Sequence, residues 1–369
     1  MEQKDFSYQF YKTTSEAWDA MYQALLIAEK SIYWEIFIFV DDIVGTRFVD
    51  VLCDKAKSGL TVKIIIDAYG SFSFSGGAEL RLKEAGVEVL RFNRLYPEFR
   101  LAKWWARLWF RNHRKVLIID EQVVFLGGVN IRAVYRRWDD IYLKLAGPIA
   151  RPLLRGFAKS YISSGGDRNK VRHLFRRSKL SEGLKQWKDK LKFVVHSPRF
   201  QRFSKARRMI LQALAAAKES ANFLTPYFVP DKQFLQAVAI ARRRGVKVNI
   251  FMPLRTDSKL MELLAIAYYG RILKAGASVY FLPNMNHGKA VSVDDNFGHV
   301  GSINITPRSF YFNEESGVSF NDEGMVNDLN RLFNEWKKLA RPFNEEHWRN
   351  RGWWAKMKEW WVRRVARFL

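Results

Sequence analysis

The chain has 369 residues, enough for two domains of ordinary size, and 48 % of them are hydrophobic, so a substantial core can be buried and disorder over most of the chain is excluded. Its 62 Lys and Arg against 37 Asp and Glu leave a formal net charge of +25, which favours a polyanionic partner, either an anionic membrane face or nucleic acid. A single cysteine, Cys53, excludes an intramolecular disulfide and a cysteine-built metal site.

In chain order, the N-terminal MEQKDFSYQF has no basic region followed by an apolar run, so no signal peptide is expected. No stretch reaches about 18 apolar residues, so no membrane-spanning helix is expected. SGLTVKIIIDAYG, from Ser58, follows an amphipathic helical stretch and reads as a glycine cap and a buried strand. LKEAGVEVL, with Gly86, repeats that pattern. The Trp-rich segment RLYPEFRLAKWWARLWFR comes next, and then NHRKVLIIDEQVVFLGGVNI from Asn112.

The same design returns in the second half. RRGVKVNIFMPLR and LKAGASVYFL, with Gly276, precede NHGKAVSVDDNFGHVGSINI from Asn286. His113, Lys115, Asp120, Gly127 and Asn130 match His287, Lys289, Asp294, Gly301 and Asn304 at a constant offset of 174 residues. A repeat of this length, with helices alternating with short apolar strands, predicts two α/β domains related by pseudo-twofold symmetry, each a mixed to mainly parallel sheet flanked by helices. The expected boundaries are 1–166 for the first domain, 167–192 for a linker, 193–345 for the second domain and 346–369 for a C-terminal helix. Gly86 to His113 is 27 residues and Gly276 to His287 only 11, so the first half carries 16 extra; the Trp-rich insertion is placed at 94–111. From Arg168 to Lys192 the linker has ten Lys or Arg and two acids, and it is read as a solvated helix.

Paired His and Lys on a strand-like segment share one face, and the Asn beyond the Gly-rich turn adds a neutral donor. Two such sets suit a phosphodiester. Lys and Asn would stabilise the oxygens of a pentacoordinate transition state, one His would attack phosphorus, and the other would protonate the leaving oxygen. Two Lys and two His supply the charge compensation a divalent ion would give, so neither a metal nor another cofactor is expected.

The doubled HxKxxxxD followed by Gly-Gly-x-Asn or Gly-Ser-x-Asn resembles the phospholipase D superfamily. TPYFVPD at Thr225–Asp231, RSFYFNEESGV after His287 and WDD at Trp138 resemble bacterial cardiolipin synthases, in a form without N-terminal transmembrane helices. The resemblance implies a phosphatidyltransferase working through a phosphohistidine, with His113 as nucleophile and His287 as acid and then base, or the reverse. It implies that Lys115, Lys289, Asn130 and Asn304 hold the phosphate. It also implies that each His is oriented by an acid further along its own half, Asp140 and Glu315, with Glu314 the rival to Glu315. Asp120 and Asp294 are expected to bond nearby backbone. Alternative readings are a hydrolytic phospholipase D releasing phosphatidic acid, a nucleic-acid phosphodiesterase, and a non-catalytic membrane-binding protein that kept the fold.

Of 13 tryptophans, eight lie in the insertion and at the C-terminus. WWAKMKEWWVRRVARFL, 353–369, reads as an in-plane amphipathic helix, with Trp354, Met357, Trp361, Val365 and Phe368 on one face. Trp104, Trp105 and Trp109 beside His113 would form a second interfacial anchor. The expected partners are a phospholipid substrate and an anionic membrane surface reached through Trp104, Trp105, Trp109, Trp354 and Trp361, with no specific nucleic acid. The expected location is peripheral, on the cytoplasmic face of the bacterial inner membrane.

Overall fold

The structure, a computed structural model, describes residues 6–93, 109–147, 151–176, 187, 189–198 and 204–344, with 346, 348, 350, 352–354, 357 and 361 of the C-terminal stretch. Trp104, Trp105, Val365 and Phe368 lie outside the described residues, as does most of the insertion.

The first repeat runs β1 (Ser7–Thr13), α1 (Thr14–Leu26), β2 (Ser31–Ile36), α2 (Ile43–Lys57), β3 (Thr61–Asp67), α3 (Gly76–Glu84), β4 (Glu88–Phe92), β5 (Val116–Ile119), β6 (Val123–Gly127), β7 (Asp139–Ala146) and α4 (Arg151–Ser163). Its helix starts are written in the sequence. Thr13 and Glu16 form a reciprocal capping box on α1, and the Asp42 carboxylate accepts from Val44 N and Gly45 N at the start of α2. The second repeat runs β8 (Leu191–His196), α5 (Lys205–Ala216), β9 (Ser220–Leu224), α6 (Lys232–Arg243), β10 (Lys247–Pro253), α7 (Lys259–Lys274), β11 (Ser278–Leu282), β12 (Ala290–Val293), β13 (Phe297–Gly301), α8 (Pro307–Tyr311), β14 (Glu315–Phe320), α9 (Glu323–Leu339) and β15 (Arg341–Pro342).

The strand order is β1-β7-β6-β5-β2-β3-β4 in one sheet and β15-β11-β10-β9-β12-β13-β14-β8 in the other. Read from the opposite edge, the second repeats the first, with β15 added. Both sheets are mixed. β2-β3-β4 and β9-β10-β11 pair in parallel, where a helix crosses between strands. The repeated spacing from Lys to Asn instead folds as an antiparallel hairpin, β5 with β6 and its counterpart β12–β13, which joins the parallel part edge-on through β5–β2 and β12–β9.

By its contacts the chain forms two compact units. One comprises residues 1–201 with Val300–Ser302 and Phe312–Val318, and the other the remainder. The sequence repeat and these units therefore do not share one boundary: the segment carrying Glu314 and Glu315 packs within the first unit. That unit's core gathers Trp18, Trp34, Phe39, Phe48, Leu52, Ile64, Leu117 and Phe125, all buried. Each such side chain contributes about 1.5–3 kcal/mol of burial. In the second unit Phe223, Phe228, Phe234, Ile250, Leu329 and Phe333 are buried likewise.

Part of the linker departs from the solvated helix expected of it. Arg168–Phe175 is a 3₁₀ helix that buries Val171 and Leu174. Trp348 likewise turns inward: its ring packs on Phe343, and a Cβ added to Gly270 would come within 2.7 Å of it. Trp353, Trp354 and Trp361 are 59 %, 62 % and 61 % exposed. No helix among the described residues is long and apolar enough to cross a membrane.

Candidate active site

Each motif begins with an Asn that turns the chain. Asn112 Oδ1 accepts from Arg114 N at 3.2 Å, and Asn286 Oδ1 accepts from Gly288 N at 2.9 Å. His113 and Lys115 lie in the extended lead-in just ahead of β5, and His287 and Lys289 just ahead of β12, so the pairs precede their strands instead of lying on them. In both, the Lys ammonium donates to the carbonyl of the His two residues back, from Lys115 at 2.8 Å and likewise from Lys289. All four side chains are buried.

The motif aspartates sit at the hairpin turns with positive φ, 53° at Asp120 and 47° at Asp294, a region that a short polar side chain tolerates. Asp120 accepts from the backbone N–H groups of Glu29, Lys30 and Ser31 at 2.7–3.0 Å. Asp294 accepts from those of Lys218, Glu219 and Ser220 at 2.8–2.9 Å. Burial raises the Asp294 pKa, but these three amides together hold it below the usual carboxylate value. Both carboxylates thus tie the hairpin turn to the loop preceding β2 or β9.

His113 is fixed by the second repeat's acid. Its Nδ1 lies 3.1 Å from both carboxylate oxygens of the fully buried Glu315. A carboxylate only accepts, so Nδ1 carries the proton. Ser302 Oγ donates to Glu315 Oε2 and also receives Ser316 N at 3.0 Å. Glu315 was expected to orient the histidine of its own half; the pairing instead runs from the first repeat to the second. The reason is backbone pairing. Asn112 and Glu314 form a parallel bridge, His113 N donates to Glu314 O at 2.9 Å, and Glu314 N donates to Arg111 O at 2.8 Å. Strand register makes Asp140 the counterpart of Glu315, since Gly128 N donates to Ile141 O where Ser302 N donates to Ser316 O. Asp140 is buried, and its Oδ1 accepts from Ile141 N at 2.7 Å.

Glu314, the rival orienter, belongs to a buried network that sequence reasoning missed. Arg114 reaches Glu35 Oε1 and Glu314 Oε2, both at 3.4 Å, and donates to Ser160 Oγ at 2.6 Å and His196 O at 2.8 Å. Ser197 Oγ donates to Glu314 Oε1 at 2.9 Å, and Asn112 Nδ2 to Glu35 at 3.2 Å. Next to it, Arg111 grips Asp67 through Nε and Nη2 at 2.6–3.1 Å, and Asp67 also accepts from Asn112 N. Burial pushes the Glu35 and Asp67 carboxyls upward, while Arg114 and Arg111 pull them back. An acid within a wholly buried strand, such as Glu35, was the available signal, because such a group needs a cation.

The remaining site residues sit on the turns after the hairpins. Asn130 Oδ1 accepts from Ile38 N at 3.1 Å, and Trp18 Nε1 donates to Asn130 O at 2.8 Å. Asn304 N donates to Ser309 Oγ at 3.3 Å, and its buried Oδ1 has no partner among the described residues. Phe37 meets the His113 ring edge-on at 4.9 Å and lies 5.0 Å from the Lys115 ammonium, while Tyr227 meets His287 edge-on at 6.2 Å. Among the described residues no group of three His, Cys, Asp or Glu is placed to hold a metal ion.

A family profile described as cardiolipin synthase, PLD-like domain, matches residues 21–154 and 210–337. The chain is similar to a cardiolipin synthase of Halalkalibacterium halodurans, 29 % identical over 91 % of this chain and 67 % of the relative. It is similar to the major cardiolipin synthase of Bacillus subtilis, 30 % identical over 90 % of this chain and 69 % of the relative. It is also similar to the minor enzyme of that organism, 28 % identical over 93 % and 84 %. The chain spans about two thirds of the length of two of these relatives. Among solved structures, phosphatidylserine synthase of Haemophilus influenzae shares the fold, with a TM-score of 0.72 at 15 % identity, covering 100 % of this chain and 94 % of that one.

Proposed function

The chain belongs to the cardiolipin synthase, PLD-like domain family, and from that membership we propose that it transfers a phosphatidyl group from phosphatidylglycerol to the alcohol of a second phospholipid. The observation that carries the reading is the His113–Glu315 pair, a buried imidazole whose Nδ1 is held by a fully buried carboxylate. Such a carboxylate fixes the tautomer and stabilises the cation formed when the other nitrogen attacks.

In the proposed reaction, His113 Nε2 attacks phosphorus, a P–N bond forms and the P–O bond to glycerol breaks. His287 gives its proton to the departing glycerol oxygen. His287 then takes the proton of the incoming phospholipid hydroxyl, whose oxygen attacks phosphorus and breaks the P–N bond, releasing cardiolipin and restoring both imidazoles. Lys115, Lys289, Asn130 and Asn304 donate to the non-bridging oxygens, where negative charge builds in each transition state. Asp140, matched to Glu315 by register, is assigned the same orienting task toward His287.

We assign the two domains to 1–166 and 193–345, and a peripheral location on the cytoplasmic face of the bacterial inner membrane. The exposed indoles of Trp353, Trp354 and Trp361 support an interfacial C-terminal helix. Trp109 is half-buried against Phe312 at 6.0 Å, so its contribution to an anchor is smaller than that of the terminal tryptophans.

Incubation with phosphatidylglycerol vesicles followed by lipid mass spectrometry tests the activity. Cardiolipin and glycerol are the expected products. Phosphatidic acid alone would establish the hydrolytic reading, and cleavage of nucleic acid without lipid turnover would establish a phosphodiesterase. Deletion of residues 348–369 is expected to weaken sedimentation with anionic vesicles, and unchanged sedimentation contradicts the anchor.

A further inference from the structure

The basic segment 168–176 has no part in the proposed chemistry, yet it is built as more than a connection. Asp167 caps its 3₁₀ helix, accepting from Asn169 N at 2.9 Å, and Val171 and Leu174 are fully buried beneath it. His173 Nε2 lies 3.1 Å from Tyr33 Oη, and Lys170 pairs with Glu88 at 3.2 Å. A linker needed only for reach would gain nothing from these attachments. Their effect is to hold one face of the helix down and present the rest.

That presented part lines a cavity of about 740 Å³, bounded by Arg168, Asn169, Arg172, Phe175 and Arg176. It is open to solvent on one side, as a site for an exposed headgroup or ion would be. Among the described residues, three of the five lining side chains are guanidiniums and none is an acid. Among the described residues, three carboxylates near the segment have other partners, Asp167 through the Asn169 amide. Glu88 is held by Lys63, Tyr161 and Lys170, and Glu121 by Arg151 at 3.0 Å with His173 at 3.8 Å. A guanidinium has five donors and no acceptor, so this lining matches a ligand rich in acceptor oxygens and negative charge.

We propose that this cavity is a phosphate-binding site, carried by Arg168, Arg172 and Arg176 on an element separate from the His113 motif. Its ligand is a phosphate group, supplied by the headgroup of a glycerophospholipid or as free phosphate. An open concavity with one aromatic ring among its described lining residues fits one headgroup better than a strand of nucleic acid, which needs a long basic track with successive stacking rings. The site does not depend on the catalytic reading.

The test is calorimetric titration of the full chain with glycerophosphoglycerol and, separately, with inorganic phosphate. Variants are Arg168→Gln/Arg172→Gln/Arg176→Gln and a charge-matched control, Arg243→Gln/Lys247→Gln/Lys274→Gln, on exposed positions of the second unit. His113→Ala separates this site from the catalytic one. The arginine triple is expected to lose binding on the order of tenfold, because bidentate guanidinium contacts are lost, while the control stays within about twofold. That binding is expected to persist in His113→Ala. Preference for glycerophosphoglycerol assigns a lipid source, and equal binding of inorganic phosphate assigns a free ion. Equal losses in the two triples, or undiminished binding in the arginine triple with its circular dichroism unchanged, overturn the site.

Discussion

Glu35 stands next to last in β2, and at the matching position of β9 stands Leu224. Arg114 separates His113 from Lys115, while Gly288 separates His287 from Lys289. At the end of β3 stands Asp67, gripped by Arg111; the counterparts are Pro253 and Met285, which cannot form an ion pair. Asn112 Nδ2 donates to Glu35, whereas the buried Asn286 Nδ2 has no partner among the described residues. One hairpin design is therefore backed by two buried ion pairs in the first repeat and by apolar residues in the second. A nucleophile must meet phosphorus in one fixed orientation, and a misplacement of about 1 Å can cost a hundredfold in rate. The more heavily braced lead-in supports His113, and not His287, as that nucleophile.

The sharpest way to break this comparison is to remove each imidazole in turn. His113→Ala is expected to lower turnover by about four orders of magnitude or more, with any donor lipid. His287→Ala is expected to be comparably slow on phosphatidylglycerol. It should nevertheless recover about 10²–10⁴-fold on a donor whose leaving group needs no protonation, such as a p-nitrophenyl ester. Recovery in the His113 variant instead would exchange the two roles.

The bracing itself can be measured. Arg114→Gly imports the second repeat's residue and leaves Glu35 and Glu314 unpaired in the interior. A loss of about 3–5 kcal/mol in unfolding free energy is expected. Adding Glu35→Leu should restore part of it, because the two sites share one network. Strictly additive losses in denaturant titrations would show that the network does not exist.

A further asymmetry runs the other way. The second repeat buries His299 where the first has Phe125, and burial takes its pKa down to about 4. The unfolded chain, titrating near 6.5, then binds the proton more readily. Stability is full above about pH 6.5 and falls as pH drops toward 4, by about 3 kcal/mol in total. His299→Phe should flatten that dependence, and a variant with the parent's pH profile would remove His299 as its cause. The smallest expected effect tests what the halves share. Asp120→Ala and Asp294→Ala each leave three backbone amides without their acceptor and should each cost about 1–3 kcal/mol. Loss of activity with unchanged stability would give these carboxylates a chemical role.

What could be read in advance follows the range of the interactions. The two hairpins, their Asp turns and the helix-to-strand steps rest on neighbours a few residues apart, so spacing and glycine placement revealed them. Sheet polarity was only half legible, because the motif's antiparallel return depends on the turn at Asp120 and Glu121, both at positive φ. The partner of His113 could not be read from spacing. Glu315 is 202 residues away and arrives through backbone pairing of Asn112 with Glu314. The Arg114 network joins Glu35, Ser160, His196 and Glu314, which share no sequence pattern. Glu35 alone betrayed itself, as a charge within an otherwise apolar strand.

Trapping the intermediate is the most direct test. The chain is quenched during turnover of phosphatidylglycerol, digested, and mapped by mass spectrometry under alkaline conditions that preserve phosphohistidine. A phosphatidyl adduct on the peptide containing His113, absent in His113→Ala and diminished in Glu315→Gln, is the expected result. An adduct confined to the His287 peptide, or steady turnover by His113→Ala, would contradict the assignment of His113 as the residue that takes phosphorus.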